Sequence, residues 1–374
     1  MDVTRPPRTD SLAALRTEVR EFVADHTDAA GVDSWLVGWD EEFTRELAAR
    51  RWLGMTVPVE YGGHGRTHLE RFAVTEELLA AGAPVAAHWI ADRQIVPSLL
   101  RYGTEEQKRR YLPAIAAGTC FFGIGMSEPD SGSDLASVRT RATRADGGWT
   151  ITGTKVWTSG AHRADAFICL ARSEPLDPAH RHAGLSQFLV DLRSPGVRIR
   201  PIHSMDGSHH FNEVHLDGVH VPDDMVFGTL GEGWTQVTSE LAFERSGPER
   251  FLSTFPLLAE CVEQTRLGTL EPSDDTGRLV ARVAGLHRMS SDVAGRLERG
   301  ERADVAAAVV KVLGTSTEGD VAEHVDLLGG GARTQPERLR RFTESALVQR
   351  PGFTLRGGTS EVLRGVIARE LGLR

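Results

Sequence analysis

The chain has 374 residues, 40% of them hydrophobic and 25% charged, with a net charge of −9. That length holds two or three domains of a soluble globular protein, and the acidic balance argues against general nucleic-acid binding. No stretch approaches the roughly 20 apolar residues of a membrane span, and the first residues lack the apolar core of a signal peptide.

Three widely spaced cysteines, Cys120, Cys169 and Cys261, suit a reducing compartment, and a cytoplasmic location is expected; they form neither a disulfide framework nor a zinc pattern. Lysine occurs only at Lys108, Lys155 and Lys311, so nearly all basic charge is arginine, a bias of the kind a GC-rich bacterial genome imposes.

Residues 1 to about 118 read as helical. Leu12, Leu15, Val19, Phe22 and Val23 fall at helical spacing, as do Leu69, Phe72, Leu78 and Leu79, then Tyr111, Leu112 and Ile115. From about 119 to 222 the period changes. CFFGIGM, WTITG, KVWTSG, AFICLA, SQFLVDL, VRIRPI and NEVHL are short strand-like runs broken by Gly, Asp, Pro and Ser, which predicts a small barrel or sandwich. From 223 to 374 helices return. Leu279, Val283, Leu286, Val293 and Leu297 keep a 3/4 spacing, as do Val305, Val309 and Val312, then Val321, Val325 and Leu328. With 232–266 and 359–371 this predicts about four helices, enough for a bundle. Strands do not alternate with helices, so a doubly wound sheet is excluded.

Several stretches carry chemistry. GMSEPDSGSDL, Gly125 to Leu135, ends a strand in a turn that presents Ser127, Ser131 and Ser133 with backbone N–H groups. It suits the edge of a flat heterocycle or a phosphate-bearing tail, and equally an ordinary polar turn. KVWTSGAHRAD joins Trp157 to Thr158 and Ser159, an apolar plate beside hydroxyls that would pack on an aromatic cofactor; a core tryptophan reads the same way. GWTQVTSELAFERSGPERF puts Glu244 and Arg245 after apolar Leu241, Ala242 and Phe243. A carboxylate beside a hydrophobic cavity has a raised pKa and acts as a base, whereas most such charges lie on a solvated helix face. LRGGTSEVLRG runs Gly357 and Gly358 into Thr359 and Ser360, a capped helix start that offers backbone donors. The histidines at 203, 209, 210, 215 and 220 lie at irregular spacing with no cysteine near, so no metal site is expected. A Rossmann glycine fingerprint, a Walker loop and a nucleophile elbow are all missing.

These stretches occur in series with PVEYGGHG near 58, GTEEQKRRYLPAIAAG near 103, FNEVHLDGVHVP and GGTSEVLRGVIARE. Together they resemble the acyl-CoA dehydrogenase family over nearly the whole chain. The resemblance implies an α+β multidomain fold: an N-terminal helical domain (1–118), a central β-barrel (119–222) and a C-terminal four-helix bundle (223–374). It implies FAD bound non-covalently, with Met126 and Ser127 at the flavin ring, Trp157 covering it, Thr158 and Ser159 at its edge, and Gly357, Gly358, Thr359 and Ser360 near flavin and thioester. Ser133 would touch the pantetheine arm of an acyl-CoA, or of an acyl carrier protein thioester, and Arg245 would lie at the substrate. The reaction implied is removal of two hydrogens across the α and β carbons, in lipid metabolism, with a flavoprotein as electron acceptor.

Two departures matter. Many members carry the catalytic glutamate just before the last Gly-Thr-Ser; here that position is Gly357. Isovaleryl-type members place the base on a C-terminal-domain helix before an arginine, which Glu244 and Arg245 match, so Glu244 is the expected base. The Arg-x-x-Phe-Gly stretch of homotetrameric members is lost after Arg266. Either a homo-oligomer holds the FAD adenine differently, or a related subunit completes the site. A flavin monooxygenase or oxidase on the same fold, and a non-catalytic partner subunit, are the competing readings.

Overall fold

A computed structural model describes residues 9–26, 30–245, 247–330 and 335–373, with residues 9, 10 and 240–245 described by their backbone alone. In chain order the helices are α1 (Thr9–Ala24), α2 (Ser34–Val37), α3 (Glu41–Ala49), α4 (His68–Ala80), α5 (Ala86–Ile90), α6 (Val96–Tyr102) and α7 (Glu105–Ala116). The strands follow: β1 (Phe122–Gly125), β2 (Arg141–Ala145), β3 (Gly148–Lys155), β4 (Ala166–Arg172), β5 (Leu185–Asp191), β6 (Val197–His203), β7 (His209–Pro222) and β8 (Val226–Phe227). The last helices are α8 (Gly233–Arg245), α9 (Phe255–Arg266), α10 (Asp274–Glu298), α11 (Asp304–Leu328), α12 (Glu337–Phe353) and α13 (Ser360–Glu370).

The chain forms two compact units. One comprises residues 1–40, 66–86 and 242–374; the other comprises 41–65 and 87–241. The first is called the helical unit below and the second the sheet unit.

The sheet unit is built on β4, whose seven residues are all buried. Eight strands run in the order β6-β7-β3-β2-β4-β5-β8, with β1 on β4. The order ends at β6 and β8, so the sheet is open and mixed where a closed barrel was expected. The physical reason lies at its ends: β8 contributes only two residues to its pairing with β5, and β6 pairs only with β7 among the described strands. Neither end offers a ladder to the other.

One edge of β4 is shared end to end. β1 runs parallel along Ala166–Cys169, and β2 joins at Arg172 through its Arg141. The segment between β1 and β2 therefore leaves the edge of β4 after Gly125 and returns to it at Arg141. That excursion carries Met126, Ser127 and Ser133.

β2 was not foreseen. Its sequence RATRA alternates, but only Ala142 points to the core while its neighbours are exposed, so it carries little apolar signal. WTITG and KVWTSG, read as two runs, contribute to one strand, β3, with a register shift between Ile151 and Gly153.

In the helical unit, α1 lies along α4 through charge: Arg16 pairs with Glu76 and Glu77, and Glu76 also meets His287 of α10. Helix α4 is started by a capping box between Thr67 and Glu70. Among the described residues six helices, α8 to α13, lie from 223 onward where about four were expected. The helix read over 232–266 is broken, because Gly247 and Pro248 intervene. Proline lacks an N–H and restricts the residue before it, and a short 3-10 turn, Pro248–Arg250, replaces the helix. Among the described residues no helix is long and apolar enough to cross a membrane.

Leu170 is fully buried at the centre of β4, in a cluster with Val138, Leu185 and Val237. Leu170→Ala is expected to cost about 2–5 kcal/mol through lost burial and an unfilled cavity, read as a lower midpoint in denaturant unfolding followed by the sheet's circular dichroism.

Candidate functional site

The sequence-predicted residues fall into two groups, one in each unit. In the sheet unit, Met126 and Ser127 follow β1, and Trp157, Thr158 and Ser159 follow β3. The structure brings these two segments together. The Val156 N–H donates to the Ser127 carbonyl at 2.9 Å. The Lys155 ammonium donates to the Met126 carbonyl at 3.1 Å and to Glu128 Oε1 at 2.8 Å. Glu128 in turn accepts from the backbone N–H groups of Arg139, at 2.6 Å, and Thr140, at 2.9 Å. Lys155 is 0% exposed and Glu128 is 7% exposed, so this is a sealed ion pair. Burial disfavours the Glu128 carboxylate, yet the ammonium and the N–H donors outweigh it and hold the carboxyl below the usual range.

Trp157 stands in the left-handed region at φ 61°, which a bulky L-residue rarely adopts and which costs on the order of 1–3 kcal/mol. Its neighbours impose it. Val156 is tied to Ser127, and Thr158 exchanges backbone hydrogen bonds with Asn212, both at 3.1 Å. The Asn212 side chain adds a bond from Nδ2 to the Thr158 carbonyl at 3.0 Å. Trp157 is nevertheless 57% exposed and meets Phe211 edge-on at 5.5 Å between ring centres.

A strained, exposed indole is therefore held out by a buried frame. Beside it the hydroxyls of Ser127 and Ser159, both half-buried, make no side-chain hydrogen bond among the described residues. Thr158 is buried, and its Oγ1 has no partner there. An open aromatic plate, two unengaged hydroxyls and an orphaned polar atom fit a flat heteroaromatic ring with polar edges. Ser133 is exposed on the excursion from β4, its hydroxyl also unengaged.

In the helical unit, Gly357 and Gly358 have φ of 70° and 88°. The flanking residues are strongly held. Arg356 pairs with Asp33 at 2.6 Å, donates to Ser253 Oγ at 3.1 Å, and lies over Trp35 and Phe353 at 4.6 and 5.0 Å. The Lys311 ammonium donates to the Thr354 carbonyl at 2.9 Å and lies 3.5 Å from Ser360 Oγ. Thr359 caps α13 by accepting from the Val362 N–H.

A Cβ built on Gly357 would come within 3.1–3.3 Å of the Arg250 guanidinium. Arg250 is itself 1% exposed and lies over Trp35 at 5.2 Å. Both the backbone conformation and the space beyond it thus disfavour a side chain at 357. Glu244 and Arg245 lie in the last turn of α8, and their side chains are outside the described residues.

Glu318 of α11 is fully buried in this cluster. It accepts from the Ser253 N–H at 2.8 Å and lies 3.9 Å from Arg356. Burial pushes its carboxyl up to about 7, with Arg356 opposing.

Sequence reading missed the supporting residues Glu128, Lys155, Arg172, Asn212, Arg250, Lys311, Glu318 and Arg356. The signal for two of them was present. Lysine occurs three times, and Lys155 and Lys311 are both 0% exposed; Lys155 bonds the Met126 carbonyl of a predicted site segment, and Lys311 bonds the Thr354 carbonyl three residues before Gly357. Of the histidine cluster, His209 stacks on His162 with ring centres 4.2 Å apart.

Lys155→Met is expected to leave Glu128 as an uncompensated buried charge and to cost about 3–5 kcal/mol, measured by chemical denaturation. Because the folded-state pKa of Glu318 is raised above its unfolded value, its contribution is fully present below the unfolded pKa of about 4.5 and is lost as pH rises through about 7. Thermal melts of Glu318→Gln against the parent, taken from pH 4.5 to 8, should show the variant gaining relative stability toward pH 8.

Models of the acyl-CoA dehydrogenase N-terminal, middle and C-terminal domains match residues 9–119, 123–219 and 273–372. The chain is 35% identical over 371 residues to acyl-CoA dehydrogenase FadE34 of Mycobacterium tuberculosis; the match takes in 96% of this chain and 48% of that one, so the chain spans about half the length of this curated relative. A solved structure described as the Tcur3481-Tcur3483 steroid ACAD superposes with a TM-score of 0.87 at 32% identity, covering 100% of this chain and 99% of the other. A chain in the structure of the ChsE4-ChsE5 complex from Mycobacterium tuberculosis superposes with a TM-score of 0.83 at 29% identity, covering 99% of this chain and 100% of that one.

Proposed function

The chain belongs to the acyl-CoA dehydrogenase family, whose members are oxidoreductases acting on acyl-CoA, and from that premise we propose that it binds FAD and removes two hydrogens across the α and β carbons of an acyl-CoA thioester. The observation that carries this reading is Trp157, an exposed indole in a strained backbone with the unengaged hydroxyls of Ser127 and Ser159 beside it. FAD, when bound, supplies the two-electron acceptor for the β-hydride. Met126, Ser127, Trp157, Thr158 and Ser159 would hold its ring and edge. Gly357, Gly358, Thr359 and Ser360 would supply backbone and hydroxyl contacts to flavin and thioester.

The proton chemistry falls to the protein. An α-proton is weakly acidic, so a positioned carboxylate must take it while donors stabilise charge on the thioester oxygen. Residue 357 does not serve. Its left-handed backbone, and the Arg250 guanidinium at the start of any side-chain path, support a base elsewhere. Glu244, in the last turn of α8 with Arg245 after it, is that base, and Arg245 lies at the substrate. Ser133 meets the pantetheine arm.

The likeness to a steroid ACAD supports a bulky acyl group, and the likeness to the ChsE4-ChsE5 complex supports a heteromer in which a related subunit completes the FAD site. A flavoprotein would reoxidise the flavin. The domain division at about 118 and 222 is in keeping with the three matched segments.

Purified protein, alone and co-expressed with a related subunit, should be yellow and lose its flavin absorbance on anaerobic mixing with one member of an acyl-CoA panel that includes isovaleryl-CoA and a steroid-side-chain CoA thioester. Glu244→Gln should keep the flavin and slow its bleaching by at least about 100-fold. Bleaching at the parent rate would remove Glu244 as the base. Flavin that no thioester bleaches would favour the non-catalytic subunit.

A further inference from the structure

Arg172 is the last residue of β4 and is 7% exposed. Among the described residues no carboxylate lies within ion-pair distance of it. Its guanidinium is satisfied by four backbone carbonyls drawn from two loops. Nε donates to Val138 at 3.2 Å and Nη2 to Ala136 at 2.6 Å. Nη1 donates to Ala183 at 3.1 Å, and Nη2 also to Arg181 at 3.1 Å. Two carbonyls thus come from the segment that returns to β4 after Ser133, and two from the β4–β5 loop. The backbone N–H of Arg172 closes the same junction by donating to the Thr140 carbonyl at 2.8 Å.

The β4–β5 loop is tied to its surroundings at two further points. Arg181 pairs with Asp134 at 2.6 Å, and the His182 ring stacks on Trp234 at 4.0 Å with 14° between planes. Asp134 is the residue after Ser133. The exposed serine therefore sits on a turn whose far end is fastened from beneath by Arg172 and whose next residue is fastened from outside by Arg181.

A buried cation is expensive unless its donors are met. Carbonyls that have turned to meet it cannot leave without stranding it, so the two loops are held as one body. Only a planar fork reaches four carbonyls in this way; an ammonium presents one compact charge with three donors.

We propose that Arg172 is a positioning residue for the coenzyme A arm of the substrate: it locks the Ser133 turn to the β4–β5 loop, so that the wall met by the arm is formed before the substrate arrives. The inference rests on the acyl-CoA reading above and deepens it. A preformed wall saves the ordering of two loops on binding. Its loss should weaken affinity for the arm while leaving the flavin-facing segments, held by Lys155 and Glu128, in place.

The test uses the flavin-loaded protein, with any partner subunit it needs, and free coenzyme A as the probe, titrated calorimetrically. Arg172→Lys keeps the charge and loses the fork. CoA affinity should fall about tenfold, the size of one lost charge-assisted hydrogen bond, with flavin content and visible spectrum unchanged. The acyl group that bleaches the parent flavin fastest is then presented as its CoA ester and as its N-acetylcysteamine ester, which lacks most of the arm. KM for the CoA ester should rise, whereas kcat/KM for the short ester should change by less than about twofold.

CoA binding as tight as the parent's, or an equal loss on both esters, overturns the proposal. If Arg172→Lys yields no folded protein, Asp134→Asn cuts only the outer tie and should weaken CoA by about two- to threefold; unchanged binding there overturns it too. A parent protein that binds no CoA overturns the acyl-CoA reading itself, and this role of Arg172 falls with it.

Discussion

The Lys155–Glu128 ion pair is the interaction on which the sheet unit's candidate site depends. Two buried opposite charges at 2.8 Å are tolerable only while every remaining donor and acceptor is met, and here the partners are backbone groups. Lys155 takes the Met126 carbonyl, and Glu128 takes the N–H groups of Arg139 and Thr140. The pair therefore fixes main chain as well as side chains. It joins the end of β1 to the end of β3 and sets the path of the segment that runs back to β2. Trp157 is held in a left-handed backbone two residues beyond Lys155, where that rigidity can sustain the strain.

The helical unit repeats the principle with other residues. Lys311 holds the Thr354 carbonyl, Arg356 is held by Asp33 and by two aromatic faces, and directly after Arg356 the chain passes through two left-handed glycines. Glu318 shows the cost of such a cluster, since burial outweighs the nearby arginine and its carboxyl titrates near neutrality. Arg172 completes the set with carbonyls alone. In each case a buried cation converts a loop that would otherwise sample many conformations into a single shape.

Much of the architecture was legible in the sequence because it is local. The 3/4 spacing of Leu279, Val283, Leu286 and Val293 marked α10, and the apolar run AFICLA marked the fully buried β4. The switch from helical to strand period near 119 fell at the start of β1. RATRA escaped because a strand with one inward residue has no apolar period to detect. The helix read over 232–266 failed at Gly247 and Pro248, whose own signal was outweighed by the charges around them. Closure of the barrel was not readable at all, since pairing between the first and last strands of a sheet order is written in no single segment. As candidates, Ser127, Ser133, Trp157, Ser159 and Gly357 were legible, because they sit in quotable stretches.

Their supports were not, because each support is distant in the chain. Glu128 and Lys155 are 27 residues apart, and Arg356 reaches Asp33 across 323. By itself the sequence determined most of the element types, the order of the three regions, the motifs that carry the family resemblance, and the lack of a side chain at 357. Tertiary structure alone decided that the sheet stays open, that Trp157 is strained and exposed, and that Arg250 lies where a side chain at 357 would begin. It alone decided, too, which buried cation holds which loop. The division follows from range: propensity and periodicity act within a few residues, whereas burying a charge requires partners that only the folded chain brings together.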